Sequence, residues 1–526
     1  MPMSNTNYAP DRTEQGPETV VVTLRDFSQV KKYLTYETVS CLFRDVTPEN
    51  YISRFCSEVQ ALVRKANAED IFLLNSNASG DEEDDEEPDN KLTLFTMVGG
   101  SMCTQKYVGV LKIDIPTEKT PDEQPRQLIL NIRSRFDGDD QSYFLLYVFE
   151  QAMGSRGKIF NDMELLASEV EIWDLLLLTA FVNQLHDAMK KGFFRQYHDR
   201  EHNDDRIKGR IDIARHIRMN FPFTGKIAYS SREYDADNPV NILILRALNY
   251  LDRRYHSLLQ RLINRDSLLR QGITLLKNEA PGWKNVSDHI AMQNARRKIA
   301  HSVYRDYEPL RKTALAVLNQ MGASSFRSAN GSDPEQRPYR VSGILIDMPK
   351  LWEEFLHNVI FREYSGDSDK YHQRKLGIIG GKRFAEPDFL LREQGIVLDA
   401  KYKAHWGNTM TTPPKTETGK SSSGWAYLRD DTYQVISYAL IFDCVYCGVI
   451  FPLAKGAPHD DAKDPLEVPI SKYCQDRFFV RLPYYIPTSA DNEAAYRKAF
   501  DASNQDLIDR LRELEQKARA YREEPL

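Results

Sequence analysis

Phe384 to Lys403 reads F-A-E-P-D-F-L-L-R-E-Q-G-I-V-L-D-A-K-Y-K, and no other stretch limits the chain's fold as tightly. Two apolar runs, Phe389 to Leu391 and Ile396 to Leu398, flank Arg392-Glu393-Gln394-Gly395. Apolar runs around a short polar segment with a glycine predict a β-hairpin. With the turn centred between Glu393 and Gln394, Asp388 falls directly opposite Asp399. Side chains alternate faces along a strand, so Asp399 and Lys401 share one face while Leu398 and Ala400 share the other. Two carboxylates and one ammonium then converge on one side of a small sheet. That set suits a hard divalent cation, because Mg²⁺ takes oxygen ligands and is usually held by one or two carboxylates plus substrate phosphates. The lysine beside it would stabilise an attacking hydroxide or a charged phosphate. The competing interpretation is an exposed hairpin with scattered charges, since Asp and Lys usually face solvent.

The remainder of the chain sets the context. Its 526 residues have room for about two to four domains. Met1 to Glu18 is polar, without the apolar core of a signal peptide. The longest apolar run, Leu175 to Val182, is too short to span a bilayer. Six scattered cysteines fit a reducing cytoplasm. Cys444-Val-Tyr-Cys447 is a lone C-x-x-C inside an apolar run, which predicts buried thiols and no zinc site. The net charge of −6 argues against nucleic acid only superficially. Asp81 to Glu87 with Asp89 carries eight negative charges in a solvated loop, and the rest of the chain is near +2, roughly neutral.

Four β-rich runs follow the acidic loop: Thr93 to Val98, Tyr107 to Ile115, Gln127 to Ile132 and Tyr143 to Phe149. From Glu164 the pattern is helical and apolar all round until Gly192. Between Lys190 and Asn220, nine Lys or Arg stand against five acids, with interleaved aromatics. Such a patch fits phosphate contact, and Arg206, Lys208 and Arg210 are the candidates; a salt-bridged surface fits equally. Residues 238–275 and 294–322 read as two long amphipathic helices. Ser324 to Pro338, rich in Ser, Asn, Gly and Pro, marks a domain boundary. Asp347 is a candidate N-cap with Pro349 in the first turn of the next helix, whose Leu351, Phe355, Val359 and Phe361 point to a core. Lys403 to Gly424 reads as a loop near the hairpin. On the helix beyond it Gln434 and Tyr438 are four residues apart, hence on one face. His198 and His202 lack the order and the apolar helix of an H-E-x-x-H zinc motif, and no G-x-x-x-x-G-K-[ST] occurs anywhere. Any nucleotide-driven motion would have to come from a partner.

Pro387-Asp388, followed after ten residues by Asp399-Ala400-Lys401, resembles the P-D…(D/E)-x-K signature of restriction-endonuclease-like nucleases. G-F-F-R-Q-Y after the apolar helix, R-I-K-G-R-I-D at Arg206 to Asp212, and E-Y-D-A-D-N-P-V-N-I-L-I-L-R-A-L at Glu233 to Leu248 resemble the ordered core motifs of the McrC family. McrC proteins are the nuclease subunits of McrBC-type restriction systems, and the likeness covers roughly 160–450. It implies an α+β multidomain chain, with a β-rich and helical N-terminal region and a C-terminal restriction-endonuclease-like α/β nuclease domain. Taken with the pattern along the chain, the segments are 1–90 with the acidic linker and no assigned role, 91–160 β-rich, 161–322 helical and motor-docking, 339–488 nuclease, and 489–526 a C-terminal helix. The resemblance further implies a Mg²⁺-dependent DNA endonuclease in phage defence, partnered with a separate AAA+ GTPase. Asp388, Asp399 and the Ala400 carbonyl would hold the metal, and Lys401 would stabilise the nucleophile. Glu353 matches the family's first-helix glutamate, with Glu354 its competitor. Gln434 and Tyr438 match a Q-x-x-x-Y pair that positions DNA and water in RecB-type relatives. The rival functions are a non-catalytic adaptor that stimulates the motor and a stand-alone RecB-like repair exonuclease.

Overall fold

Helices and strands alternate in an α+β multidomain arrangement with several separate sheets. The computed structural model describes residues 18–65, 71–74, 92–115, 126–138, 142–152, 172–299, 301–326, 341–361, 376–378, 383–403, 406, 424–456, 467–471, 474–488, 490 and 492–523. The N-terminal 17 residues, the acidic loop 75–90, the start of the apolar helix at 164–171, most of the boundary segment 324–338 and most of the loop 403–424 lie outside the described residues.

The N-terminal sheet has five strands in the spatial order Glu18–Arg25, Arg126–Arg133, Tyr107–Ile115, Val341–Asp347 and Ile71–Leu73. Leu128, Leu130 and Ile132 are buried at every second position, which is the period that turns one face of a strand to a core. The helix Tyr51–Lys65 covers that face with Phe55, Val59 and Leu62. Val341–Asp347, expected at the head of the C-terminal unit, is instead a strand of this sheet. It runs antiparallel to Tyr107–Ile115 and parallel to Ile71–Leu73.

The structure departs from three sequence-based expectations. Tyr143–Ala152 is a helix and not a strand. Its run F-L-L-Y-V-F, Phe144 to Phe149, is buried on all sides, so no periodicity distinguished helix from strand. The expected long helix over 238–275 is three helices, Pro239–Arg254, His256–Asn264 and Ser267–Glu279. Tyr255 leaves helical geometry at φ −129, ψ 42, and Asp266 Oδ1 caps the third helix by accepting from Leu268 N and Leu269 N. The helix expected over 294–322 begins only at Tyr307, as Tyr307–Phe326, and Asn294 instead ends the separate helix Asp288–Asn294. The apolar helix Ile172–Met189 packs against this group and ends ahead of Gly192 at φ 87, where a residue without Cβ is favoured.

The C-terminal sheet orders its strands Phe389–Leu391, Ile396–Ala400, Tyr446–Ala454, Cys474–Ile486 and Glu467–Ser471. The central three pair in parallel and the outer two are antiparallel. Ile396–Ala400 and Tyr446–Ala454 are buried almost throughout, as strands covered on both faces are. Met348–Leu356 and the C-terminal helix Glu493–Glu523 share one core with Leu398, Ile450 and Tyr484. Gly424–Phe442 packs on the opposite face, against Val397, Cys447 and Phe479. Cys444 and Cys447 are buried thiols outside any disulfide, and burial pushes the Cys444 thiol up to about 12.

Candidate active site

The hairpin forms in the register its sequence demands. Phe389 pairs with Leu398 and Leu391 with Ile396, so one more step places Asp388 beside Asp399. The turn closes through Gly395 N donating to Arg392 O at 3.1 Å, with Gly395 at φ 72. Arg522 of the C-terminal helix clamps it from outside, donating to Glu393 O and Asp443 O at 3.0 Å each. On the inner side, Lys401 N donates to Ile450 O at 2.9 Å, which extends the parallel pairing one residue past Ala400. Strand alternation therefore carries through to Lys401, and its ammonium lies 2.5 Å from Asp399 Oδ2.

Around this pair the other candidates assemble. Asp388 Oδ2 accepts from Ala400 N at 2.6 Å, so the two aspartates sit at the same end of adjacent strands. Burial holds the Asp388 carboxyl well above the usual carboxylate range; the charges of Asp399 and Glu353 add to this, and Ala400 N–H and Lys401 oppose it. Glu353 is thus close enough to act on Asp388, from the helix Met348–Leu356 capped by Asp347, with Pro349 in its first turn. Burial alone would lower the Lys401 ammonium. Asp399 and Asp431 outweigh it and hold the group above its ordinary value.

The helix Gly424–Phe442 brings Gln434 and Tyr438 onto the same side. Lys401 Nζ donates to Gln434 Oε1 at 3.4 Å, Gln434 Nε2 to Tyr438 OH at 3.0 Å, and Tyr438 OH to Glu386 O at 3.2 Å. This chain of contacts links the lysine to the segment that carries Asp388. One residue escaped the sequence: Asp431 is buried, 2.9 Å from Lys403 and 3.7 Å from Lys401. Its signal was its place three residues before Gln434 and seven before Tyr438, on the same helical face.

Two observations bear on a metal. Asp399 Oδ2, though close to Lys401, is a buried oxygen without an aligned hydrogen-bond donor. Among the described residues, no group of three or more His, Cys, Asp or Glu side chains is placed to hold a metal ion by itself. The donor set fits an ion held through few protein oxygens, with the rest from water and phosphate, which is the usual habit of Mg²⁺.

Arg206, Lys208 and Arg210 lie elsewhere, all exposed: Arg210 is in a three-stranded sheet ordered Gln196–Asp204, Ile227–Asp235, Arg210–Ile211, and Arg206 and Lys208 are in the connection that leads into its strand. The ordered motifs build this module. A Cβ on Gly209 would sit 2.1 Å from Ser230 O, so only glycine lets the two strands close. Asp212 Oδ1 caps the helix Ile213–Asn220 through Arg215 N. Asn238 and Asn241 both donate to Phe194 O, at 2.9 and 2.8 Å, tying the first motif to the third.

Among solved structures, the chain resembles one from a refined half-complex of the tetradecameric assembly of Thermococcus gammatolerans McrB AAA+ hexamers with bound McrC. The TM-score is 0.39 at 14% identity, covering 92% of this chain and 100% of the other. A chain of the cryo-EM McrBC complex from the same organism gives a TM-score of 0.30 at 13% identity, covering 65% and 88%. No curated protein matches. Residues 102–452, most of the chain, match the family described as McrBC 5-methylcytosine restriction system component. The chain belongs to that family and is a component of a McrBC system.

Proposed function

We propose that this chain is the DNA-cutting subunit of its system: a Mg²⁺-dependent endodeoxyribonuclease of the PD-(D/E)xK type, working in the cytoplasm with an AAA+ GTPase motor. The observation that carries this is the convergence of Asp388, Asp399 and Lys401 at one end of a mixed sheet, with Glu353 acting on the same carboxylate. Asp388 and Asp399 would hold the ion, with the Ala400 carbonyl and Glu353 completing or orienting its shell. Bound there, Mg²⁺ supplies a water of lowered pKa and neutralises phosphate charge. Lys401, charged and aimed by Asp399 and Asp431, would stabilise the attacking oxygen and the charge that builds on the phosphorane. Gln434 and Tyr438 hold that ammonium in line and are placed to orient water or a DNA strand.

The module carrying Arg206, Lys208 and Arg210 is our candidate for motor docking. It exposes Ile213, Ile217, Phe221 and Phe223 beside those cations, an apolar patch with a basic rim. Among the described residues no helix is long and apolar enough to cross a membrane. The test is cleavage of 5-methylcytosine-containing duplex DNA by the full chain with its motor, in Mg²⁺ and in chelator. We expect cutting only with Mg²⁺, GTP and both proteins, and no nucleotide hydrolysis by this chain alone. Mg²⁺-independent cutting, or stimulation of the motor without any cutting, would overturn the proposal, the latter in favour of an adaptor.

A further inference from the structure

Tyr402 follows Lys401 in the chain but is built into the N-terminal half. Its side chain is buried, with ring centroids of Phe27 and Phe136 at 6.1 Å and of Trp352 at 6.2 Å. Its hydroxyl is 3.2 Å from Ser134 Oγ. Its carbonyl accepts from Arg135 Nη2 at 2.6 Å, and the guanidinium lies 4.4 Å from the Tyr402 ring centroid. Arg135 is itself anchored, since its backbone N donates to Asp26 Oδ1 at 2.6 Å and its Nη1 to Asp26 Oδ2 at 3.2 Å. Asp26 follows the strand Glu18–Arg25, and Arg135 follows its parallel neighbour Arg126–Arg133. Two ends of the N-terminal sheet therefore grip one peptide group of the candidate site.

This arrangement is expensive. Asp26 is fully buried, and burial raises its carboxyl against the pull of Arg135. A buried ion pair is a poor way to add stability, because desolvation cancels most of the attraction. What it does give is fixed geometry, and here the geometry reaches both arms of the site. Tyr402 is bonded to Lys401, and Trp352, which packs on Tyr402, is bonded to Glu353. Tyr402 points to the opposite face from Lys401, so Arg135 cannot touch DNA or metal and must act through the backbone.

We propose that Arg135, held by Asp26, is a positioning residue for cleavage: its grip on the Tyr402 carbonyl fixes the Tyr402–Lys403 peptide, the next one along the chain from Lys401, and so holds the strand end that aims the Lys401 ammonium. This rests on the nuclease function proposed above. Lysine can keep the charge toward Asp26, but it lacks the planar fork that serves Asp26 and the carbonyl together.

The test is single-turnover DNA cleavage by the full chain with its motor and Mg²⁺. Arg135→Lys should lower the maximal rate about tenfold or more, because small misplacements of a reacting group are costly, with unchanged half-saturation by DNA. Asp26→Asn should show the same signature, and it serves in its place if the lysine variant does not fold. Val59→Ala, a cavity in the N-terminal core, should lower the melting temperature without lowering the maximal rate. Wild-type cutting by Arg135→Lys and Asp26→Asn would overturn the inference. So would an equal rate loss in Val59→Ala at matched stability. Asp388→Asn separates the two levels: if it cuts normally, the nuclease function fails. If it is dead while the Arg135 variants cut normally, only the positioning role fails.

Discussion

Lys401 is held by two carboxylates at once, and that is the feature most open to a direct experiment. Its ammonium faces Asp399 at 2.5 Å and Asp431 at 3.7 Å in an enclosed setting. Under the proposed function, Lys401→Ala and Asp399→Ala each lower DNA cleavage by more than about 100-fold, the range typical of losing one preorganised charged group. Both proteins should still unfold cooperatively, because each change removes charge and little core volume. Cleavage assays beside melting curves decide it, and near-normal cutting by either variant would remove that residue from the site. The pairing of Asp388 with Asp399 was readable in advance because two short apolar runs fix the register of a hairpin. Asp431 was not, since its role depends on how a helix some 30 residues away lies across the sheet.

At the level of elements, the misassigned helix Tyr143–Ala152 carries its own prediction. Its first N–H groups are satisfied from outside the helix: Asp137 Oδ1 accepts from Phe144 N and Leu145 N at 3.0 and 3.3 Å. Nothing local announces this, because the cap sits six residues ahead of an apolar run that looks like a buried strand. Burial, opposed by those N–H groups, raises the Asp137 carboxyl from 3.8 to about 7. A raised carboxyl favours folding most when it is neutral. Its contribution is therefore complete below about pH 4 and is lost as pH rises through about 7, at about 1.4 kcal/mol for each pH unit between the two values. Asp137→Asn keeps the acceptor and removes the proton equilibrium. The difference in melting temperature between wild type and Asp137→Asn should shift in favour of the variant between pH 5 and pH 8, by roughly the amount that linkage sets. A difference that stays constant over that range would mean Asp137 does not titrate there.

On the scale of the whole molecule, the two halves are interlocked in ways no local pattern records. Val341–Asp347 pairs along its length with Tyr107–Ile115, more than 200 residues away in sequence. The C-terminal helix stacks Phe500 on Tyr147 at 4.2 Å and pairs Arg497 with Glu150 at 2.6 Å. A fragment beginning at Val341 would lose the neighbours of its first strand and expose the apolar side of its last helix. It should fail to unfold cooperatively by circular dichroism, whereas a sharp transition would show that the C-terminal sheet stands alone. Motor coupling is therefore better probed by point changes in the full chain. The module with Arg206, Lys208 and Arg210 is joined to the rest through Phe194 and the helix Pro239–Arg254, and its apolar and basic groups face solvent. Arg210→Glu, and separately Phe221→Ser with Phe223→Ser, should leave the melting temperature within about 2 °C, as surface changes generally do. Each should reduce stimulation of the motor's GTP turnover several-fold, through lost charge steering in the first and lost apolar contact in the second. Because neither change touches Asp388, Asp399 or Lys401, cleavage should fall only in step with coupling and recover at high concentrations of the motor. Unchanged stimulation in both variants would place the docking surface elsewhere on the chain.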